Sequence, residues 1–139
     1  MAETKELIKK LNKALEWEYA ATIQYVQHAA TITGAQYTAI AQELVVHANE
    51  ELAHAVSVSK MIVDLGGTAT VDLEKRAVSD DEKKMLEQDL EGEDIAIALY
   101  KDIIKTAKDC GEFGKIYVLE GILAQEEEHR RDLLTALGR

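Results

Sequence analysis

The 139-residue sequence contains no proline, although average usage near 5% would place roughly seven in a chain of this length. Without proline there is no obligatory helix breaker, and long helices are allowed throughout. Aromatic residues make up 5%, and β-branched content is modest, so the strongest strand formers are scarce. The single cysteine, Cys110, cannot close an internal disulfide and has no second thiol with which to build a soft-metal site. It reads as an ordinary residue near a helix end. No uncharged apolar stretch has the length needed to span a bilayer, and Met1-Ala2-Glu3-Thr4-Lys5-Glu6 lacks the apolar segment of a signal peptide. A cytoplasmic protein that does not bind membranes is expected. Basic residues are also in deficit, 16 against 26 acidic, for a net charge of −10. That balance argues against nucleic acid as a partner, because nucleic-acid binding needs a cationic footprint. Cations are the more natural clients. With 47% hydrophobic residues, the chain has enough apolar material for one continuous core, and one domain over residues 1–139 is expected.

What is present has helical period. Leu7, Leu11, Ala14, Ala21, Tyr25 and Ile32 recur at steps of three, four or their multiples and predict a first helix from about Lys5 to Ile32. Gly34 interrupts it. A second stripe runs through Tyr37, Ile40, Leu44, Val58, Met61 and Leu65, and Gly66-Gly67 ends that helix. Residues 68–78 have no sustained period and read as a connection long enough to cross a bundle. Ser79 with Glu82 fits a capping box for a third helix, and Asp80 and Asp81 suit its positive end. The third stripe takes in Leu86, Leu90, Ile97, Tyr100 and Ile104, and Gly111 and Gly114 mark the next break. A fourth helix is expected from about Lys115 to Leu137, with Ile116, Leu119, Leu123, Leu133 and Leu137 inward. The fold class is all-α: a four-helix bundle of two antiparallel hairpins joined by a long crossover, the ferritin-like arrangement rather than a simple up-down bundle.

An internal repeat is the most specific signal. Glu18 precedes Glu51 by 33 residues, Glu93 precedes Glu126 by 33, and His54 and His129 each follow their glutamate by three. The second set lies 75 residues after the first, and Tyr25 with Tyr100, Leu11 with Leu86 and Leu44 with Leu119 keep the same offset. The chain reads as a duplicated helical hairpin. Each half supplies one glutamate from its first helix and a Glu-x-x-His pair from its second, and a step of three puts both members of the pair on one helix face. All six fall on the apolar stripes at mid-helix.

Four carboxylates buried without compensation would cost on the order of several kcal/mol per ion. No lysine or arginine shares those stripes near the glutamates, whereas two divalent cations would neutralise the site. Carboxylate oxygens with one imidazole per metal form a hard-to-borderline ligand set that suits iron or manganese, and mixed occupancy is compatible with it. The competing reading is a cluster of protonated core glutamates hydrogen-bonded to His54 and His129.

The segment Leu11-Asn12-Lys13-Ala14-Leu15-Glu16-Trp17-Glu18, continuing to Gln24-Tyr25-Val26-Gln27-His28, resembles the first helix of bacterioferritins. Glu51-Leu52-Ala53-His54, Asp89-Leu90-Glu91-Gly92-Glu93 and Glu126-Glu127-Glu128-His129 resemble the remaining ligand segments in order. The resemblance implies a ferritin-like di-iron protein. Glu18 and Glu93 would be terminal ligands, Glu51 and Glu126 bridging ligands, and His54 and His129 would bind one metal each. It also implies a ferroxidase that oxidises Fe(II) with dioxygen or hydrogen peroxide and takes part in iron handling. Three departures qualify the resemblance. Leu52 stands where the family usually has its haem-ligating methionine, so no haem is expected. The chain stops at Arg139, short of the fifth helix of the large cages, so a dimer or other small homo-oligomer is expected over a 24-subunit shell. Ala96 stands where the related rubrerythrin peroxidases carry an additional glutamate, and no rubredoxin-like cysteine pair is present. The alternative functions are a rubrerythrin-like peroxidase or other di-iron oxidase, and a non-catalytic iron-storage or iron-binding protein.

Around the six, Tyr25 and Tyr100 are expected two turns away on the same faces as hydrogen-bond supports for ligand carboxylates. His47 and Glu50 lie beside Glu51 and are candidates for guiding incoming iron. His28 reads as structural, and Glu127 and Glu128 as solvent-facing.

Overall fold

The computed structural model describes residues 2–139 and consists of α1 (Ala2–Thr31), a single 3-10 turn (Ala35–Tyr37), α2 (Thr38–Asp64), α3 (Glu82–Asp109) and α4 (Phe113–Ala136). There is no strand among the described residues, and no helix is long and apolar enough to cross a membrane. α1 packs chiefly on α2 and α3 chiefly on α4, while α1 and α3 form the seam between the two hairpins. The expected pairing of hairpins is therefore present.

The helix ends explain the breaks. After α2, Gly66 takes φ +87°, its N–H donates to Val63 O, and the Gly67 N–H donates to Ile62 O. This is a Schellman end, which needs a residue able to adopt left-handed backbone. α3 closes the same way at Gly111. Gly114 does not break the chain; it sits in the first turn of α4, which starts at Phe113 rather than at Lys115. The start of α3 also differs from the expected capping box. Asp81 is the N-cap, accepting from the Lys84 N–H at 2.9 Å, and Ser79 Oγ instead accepts from the Asp81 N–H. The Glu82 carboxylate is turned away and accepts from the Thr33 hydroxyl. Asp81 prevails because its carboxylate satisfies an orphan N–H while lying at the positive end of the helix.

The crossover climbs beside α1 in the same direction. Asn12 donates to Thr68 O and accepts from the Thr70 N–H, Tyr19 donates to Thr70 O, and Gln24 donates to Ala77 O. Side chains of α1 thus satisfy backbone groups of a segment that has no ladder of its own.

Two apolar clusters fill the bundle, and a polar layer separates them. One is built around Leu7, Leu11, Leu15, Val58, Ile62, Ile103 and Leu119, the other around Tyr25, Ile40, Leu44, Met85, Leu86 and Leu133. Most of the predicted inward residues are buried, whereas Ala21, Tyr37, Leu65, Leu90, Ile97, Leu123 and Leu137 are only partly so. On α3 the buried face is centred on Ala96, Tyr100 and Ile103, which turns Ile97 toward a surface groove it shares with Arg130 and Leu134.

Gly67 starts the crossover against α1, and a Cβ there would lie 2.7 Å from Ile8 Cγ2 and 3.1 Å from Ile62 Cγ2. Gly67→Ala is expected to destabilise the fold by about 1–3 kcal/mol, the usual cost of overpacking. Urea denaturation measures this, and an unchanged midpoint would contradict the packing described.

Candidate metal centre

The polar layer gathers all six predicted side chains. Glu18 comes from α1, Glu51 and His54 from α2, Glu93 from α3, and Glu126 and His129 from α4; none is more than 4% exposed. They form two overlapping groups whose ligand atoms lie within 4.8 Å of one another: Glu18, Glu51, His54 and Glu126, and Glu51, Glu93, Glu126 and His129. Glu51 and Glu126 belong to both. His54 Nδ1 lies 3.2 Å from Glu18, 3.4 Å from Glu51 and 3.5 Å from Glu126. His129 Nδ1 lies 3.2 Å from Glu51, 3.4 Å from Glu126 and 3.6 Å from Glu93.

Proximity here is not the same as pairing. Glu51 Oε1, Glu93 Oε2, both oxygens of Glu126 and His129 Nδ1 are inaccessible to solvent and have no hydrogen-bond partner. No lysine or arginine is buried among the described residues. Native interiors rarely leave so many polar atoms unpaired at one place, and atoms converging on common points without bonding to each other are arranged for a cation. The residues present fit two divalent ions.

Without an ion the layer balances itself with protons. Burial, and then the charge of Glu126, pushes Glu18 and Glu51 well above the usual carboxylate range; the same causes push Glu93 up to about 8. Burial also opposes ionisation of Glu126, but its close contacts with Glu51, His129 and His54 outweigh that and hold it low. Within this tightly coupled pair, Glu51 is the protonated member and Glu126 the ionised one. Both histidines are held well above the ordinary imidazole range: burial opposes their charge, but the surrounding carboxylates, Glu126 first, overcome it.

The tyrosines reach across the bundle. Tyr25 on α1 donates to Glu93 on α3 at 2.9 Å, and Tyr100 on α3 donates to Glu18 on α1 at 3.1 Å. Each tyrosine supports the glutamate of the other half. A second pair, Glu50 and Gln125, also keeps the 75-residue offset. Gln125 Oε1 lies 2.6 Å from His54 Nε2, Glu50 Oε1 lies 3.2 Å from His129 Nε2, and Gln125 donates to Glu50 at 2.8 Å. These contacts orient both rings with Nδ1 inward. Glu50 is thus tied to the centre, and Gln125, missed in the sequence, could have been found from its offset.

His47 is fully buried, its ring stacked on that of His129 at 4.0 Å, and its Nε2 lies 2.9 Å from Asp132. Burial, and then the charge of His129, pushes it down to about 4. His28 is structural, as expected: its Nδ1 lies 2.8 Å from Asp89, and both are buried. Asp89, read in the sequence only as part of the Glu93 segment, is assigned no role there, although an acid one turn before Glu93 on a buried stripe is a signal. Arg76, from the crossover, lies over the Trp17 ring, bonds Gln24 and the Gln88 carbonyl, and packs over Gly92. Leu52 points outward and is 53% exposed, and Glu127 and Glu128 are exposed.

A four-helix bundle with one crossover and a buried layer of four glutamates and two histidines defines the ferritin-like di-iron class. The family model described as the ferritin-like domain matches residues 8–139, and the chain belongs to this family. It is 28% identical over 125 residues to a bacterioferritin of Desulfovibrio desulfuricans, covering 89% of this chain and 70% of that one. Among solved structures, a ferritin-like di-iron-carboxylate protein of Bacillus anthracis superposes with a TM-score of 0.94 at 29% identity, covering 99% of both chains. A dodecameric thioferritin, the bacterioferritin-related protein of Bacteroides fragilis, superposes with a TM-score of 0.89 at 30% identity, covering 97% of this chain and 86% of that one. The iron-binding, bacterioferritin-related character read from the sequence is thereby supported.

The His28–Asp89 pair is buried on both sides, and removing one member of such a pair strands the other. Asp89→Ala is expected to cost about 3 kcal/mol, read as a lower urea midpoint. A midpoint within error of the wild type would show that the pair is dispensable.

Proposed function

We propose that the chain is a ferroxidase whose six buried residues hold two iron ions. Glu18 and His54 would hold one ion and Glu93 and His129 the other, with Glu51 and Glu126 common to both groups. The observation that carries this reading is the pair of overlapping ligand groups with unpartnered, buried oxygens at the shared positions. Iron bound there would supply the redox chemistry: two Fe(II) going to two Fe(III) would give up two electrons, enough with two protons to reduce dioxygen to hydrogen peroxide or hydrogen peroxide to two waters.

The chain's own residues do the rest. The two apolar clusters exclude water from both ends of the layer. Tyr25 and Tyr100 hold the terminal carboxylates, while Glu50 and Gln125 fix the imidazoles. Between α1 and α3 a pocket touches Glu18, Glu51 and Glu93 beside Tyr25, Gln24, Trp17 and Arg76, with room for about one water-sized molecule. That volume is too small for an organic substrate.

The protein acts as a homo-oligomer through the outer face of α1 and α2, where Ile23, Val26, Val45, Leu52 and Val56 are all about half exposed. Aliphatic patches of this kind mark association surfaces. Leu52→Glu is expected to shift the protein to monomer by size-exclusion chromatography with light scattering, and retention of the wild-type assembly would place the interface elsewhere.

The function itself is tested by anaerobic Fe(II) loading followed by air. Two irons per chain are expected to bind and then to be oxidised, and counting iron on the eluted oligomer separates turnover from mineral storage. Glu51→Ala is expected to lose both irons, because the carboxylate is shared, whereas Glu18→Ala loses tight binding at one. Saturation of the wild type at a single iron, or an unaltered Glu51→Ala, defeats the proposal.

A further inference from the structure

The duplicated halves are not equivalent around their histidines. On the His129 side the chain carries His47, Glu43 and Asp132; the positions related to them by the 75-residue offset are Ile122, Val118 and Ser57. Ile122 is an ordinary member of the apolar core, so helix packing at this level of the bundle does not require an imidazole. His47 nevertheless is buried completely, with Nε2 turned outward to Asp132 at 2.9 Å and Glu43 at 3.8 Å.

The three ligand atoms lie within 4.8 Å of one another. An ion held at about 2.0–2.2 Å from each needs them roughly 3–4 Å apart, which small side-chain rotations achieve. Glu43 and Asp132 are part-exposed, and no lysine or arginine among the described residues pairs with either, so the carboxylates are free to take a cation. Both also line a surface depression with Gln36, Ile40 and Thr135, which opens the cluster to solvent. On the inner side the His47 ring stacks directly on that of His129, so the cluster adjoins the six-residue layer through one ring contact.

We propose that Glu43, His47 and Asp132 form a third cation site, specific to the His129 half, that takes a divalent first-row transition metal such as Fe(II), Co(II) or Zn(II). One imidazole with two carboxylates selects such ions over the harder magnesium and calcium. The remaining coordination positions face the depression and are filled by water. The site stands outside the six-residue layer, so its occupancy is separable from the ferroxidase reading.

Anaerobic equilibrium dialysis of the full-length metal-free protein against Co(II) tests this. The wild type is expected to bind one more ion per chain than either Asp132→Asn or Glu43→Gln, two substitutions at part-exposed positions that preserve shape. Anomalous scattering at the cobalt edge is expected to show the additional ion beside His47 Nε2, and to lose that peak alone in Asp132→Asn. Equal ion counts in the wild type and both variants, or an additional ion placed elsewhere, would overturn the proposal. Glu51→Ala serves as the control: it is expected to empty the inner layer and retain the outer ion, so failure of the inner site and failure of the outer one give different counts.

Discussion

Four carboxylates packed between four helices repel one another, and everything else about this bundle is arranged around that repulsion. Within the protein the only counter-charges are the two imidazoles, because no lysine or arginine is buried among the described residues. The layer therefore stores protons on Glu18, Glu51 and Glu93 while leaving Glu126 ionised between the histidines. Buried ionisable groups in such a state add little to stability. The two apolar clusters on either side supply it and fix the spacing of the polar groups between them.

That spacing is maintained from outside the layer as much as from within. Glu50 and Gln125 grip the outer nitrogens of the two rings, and the tyrosines hold the two terminal glutamates. The acceptors differ: His129 faces a carboxylate, His54 a neutral amide. A carboxylate behind an imidazole makes the ring more basic, so the two halves of a nearly symmetric layer are electronically distinct. The asymmetry extends outward. His28 and Asp89 form a buried polar pair where the offset positions, Ile103 and Ala14, belong to an apolar cluster.

Much of this was legible in the sequence, for a physical reason. Helical period and the 75-residue offset report on the same faces, so the four helices, the crossover and the six converging side chains could all be read without coordinates. Local competitions could not. Ser79 and Asp81 both offer an oxygen to the start of α3, and only the backbone geometry decides for Asp81. Gly111 and Gly114 look alike in sequence, but only Gly111 has positive φ. Asp132 lies 85 residues from His47 on the outer flank of α4, where periodicity records exposure and nothing more. Arg76 sits in a segment with no period at all, and its place over Gly92 follows from the path of the crossover.

The crossed tyrosines make the two hairpins interdependent. Tyr25 and Glu18 share a helix, yet Tyr25 serves Glu93, and Tyr100 returns the service to Glu18. A hairpin of this design standing alone would carry half a ligand set and a phenol aimed at a carboxylate it does not possess. Two copies facing each other across a twofold axis would supply every missing partner. The single chain is thus organised like a dimer whose protomers have been tied together, with the crossover as the tether and the polar layer as the interface.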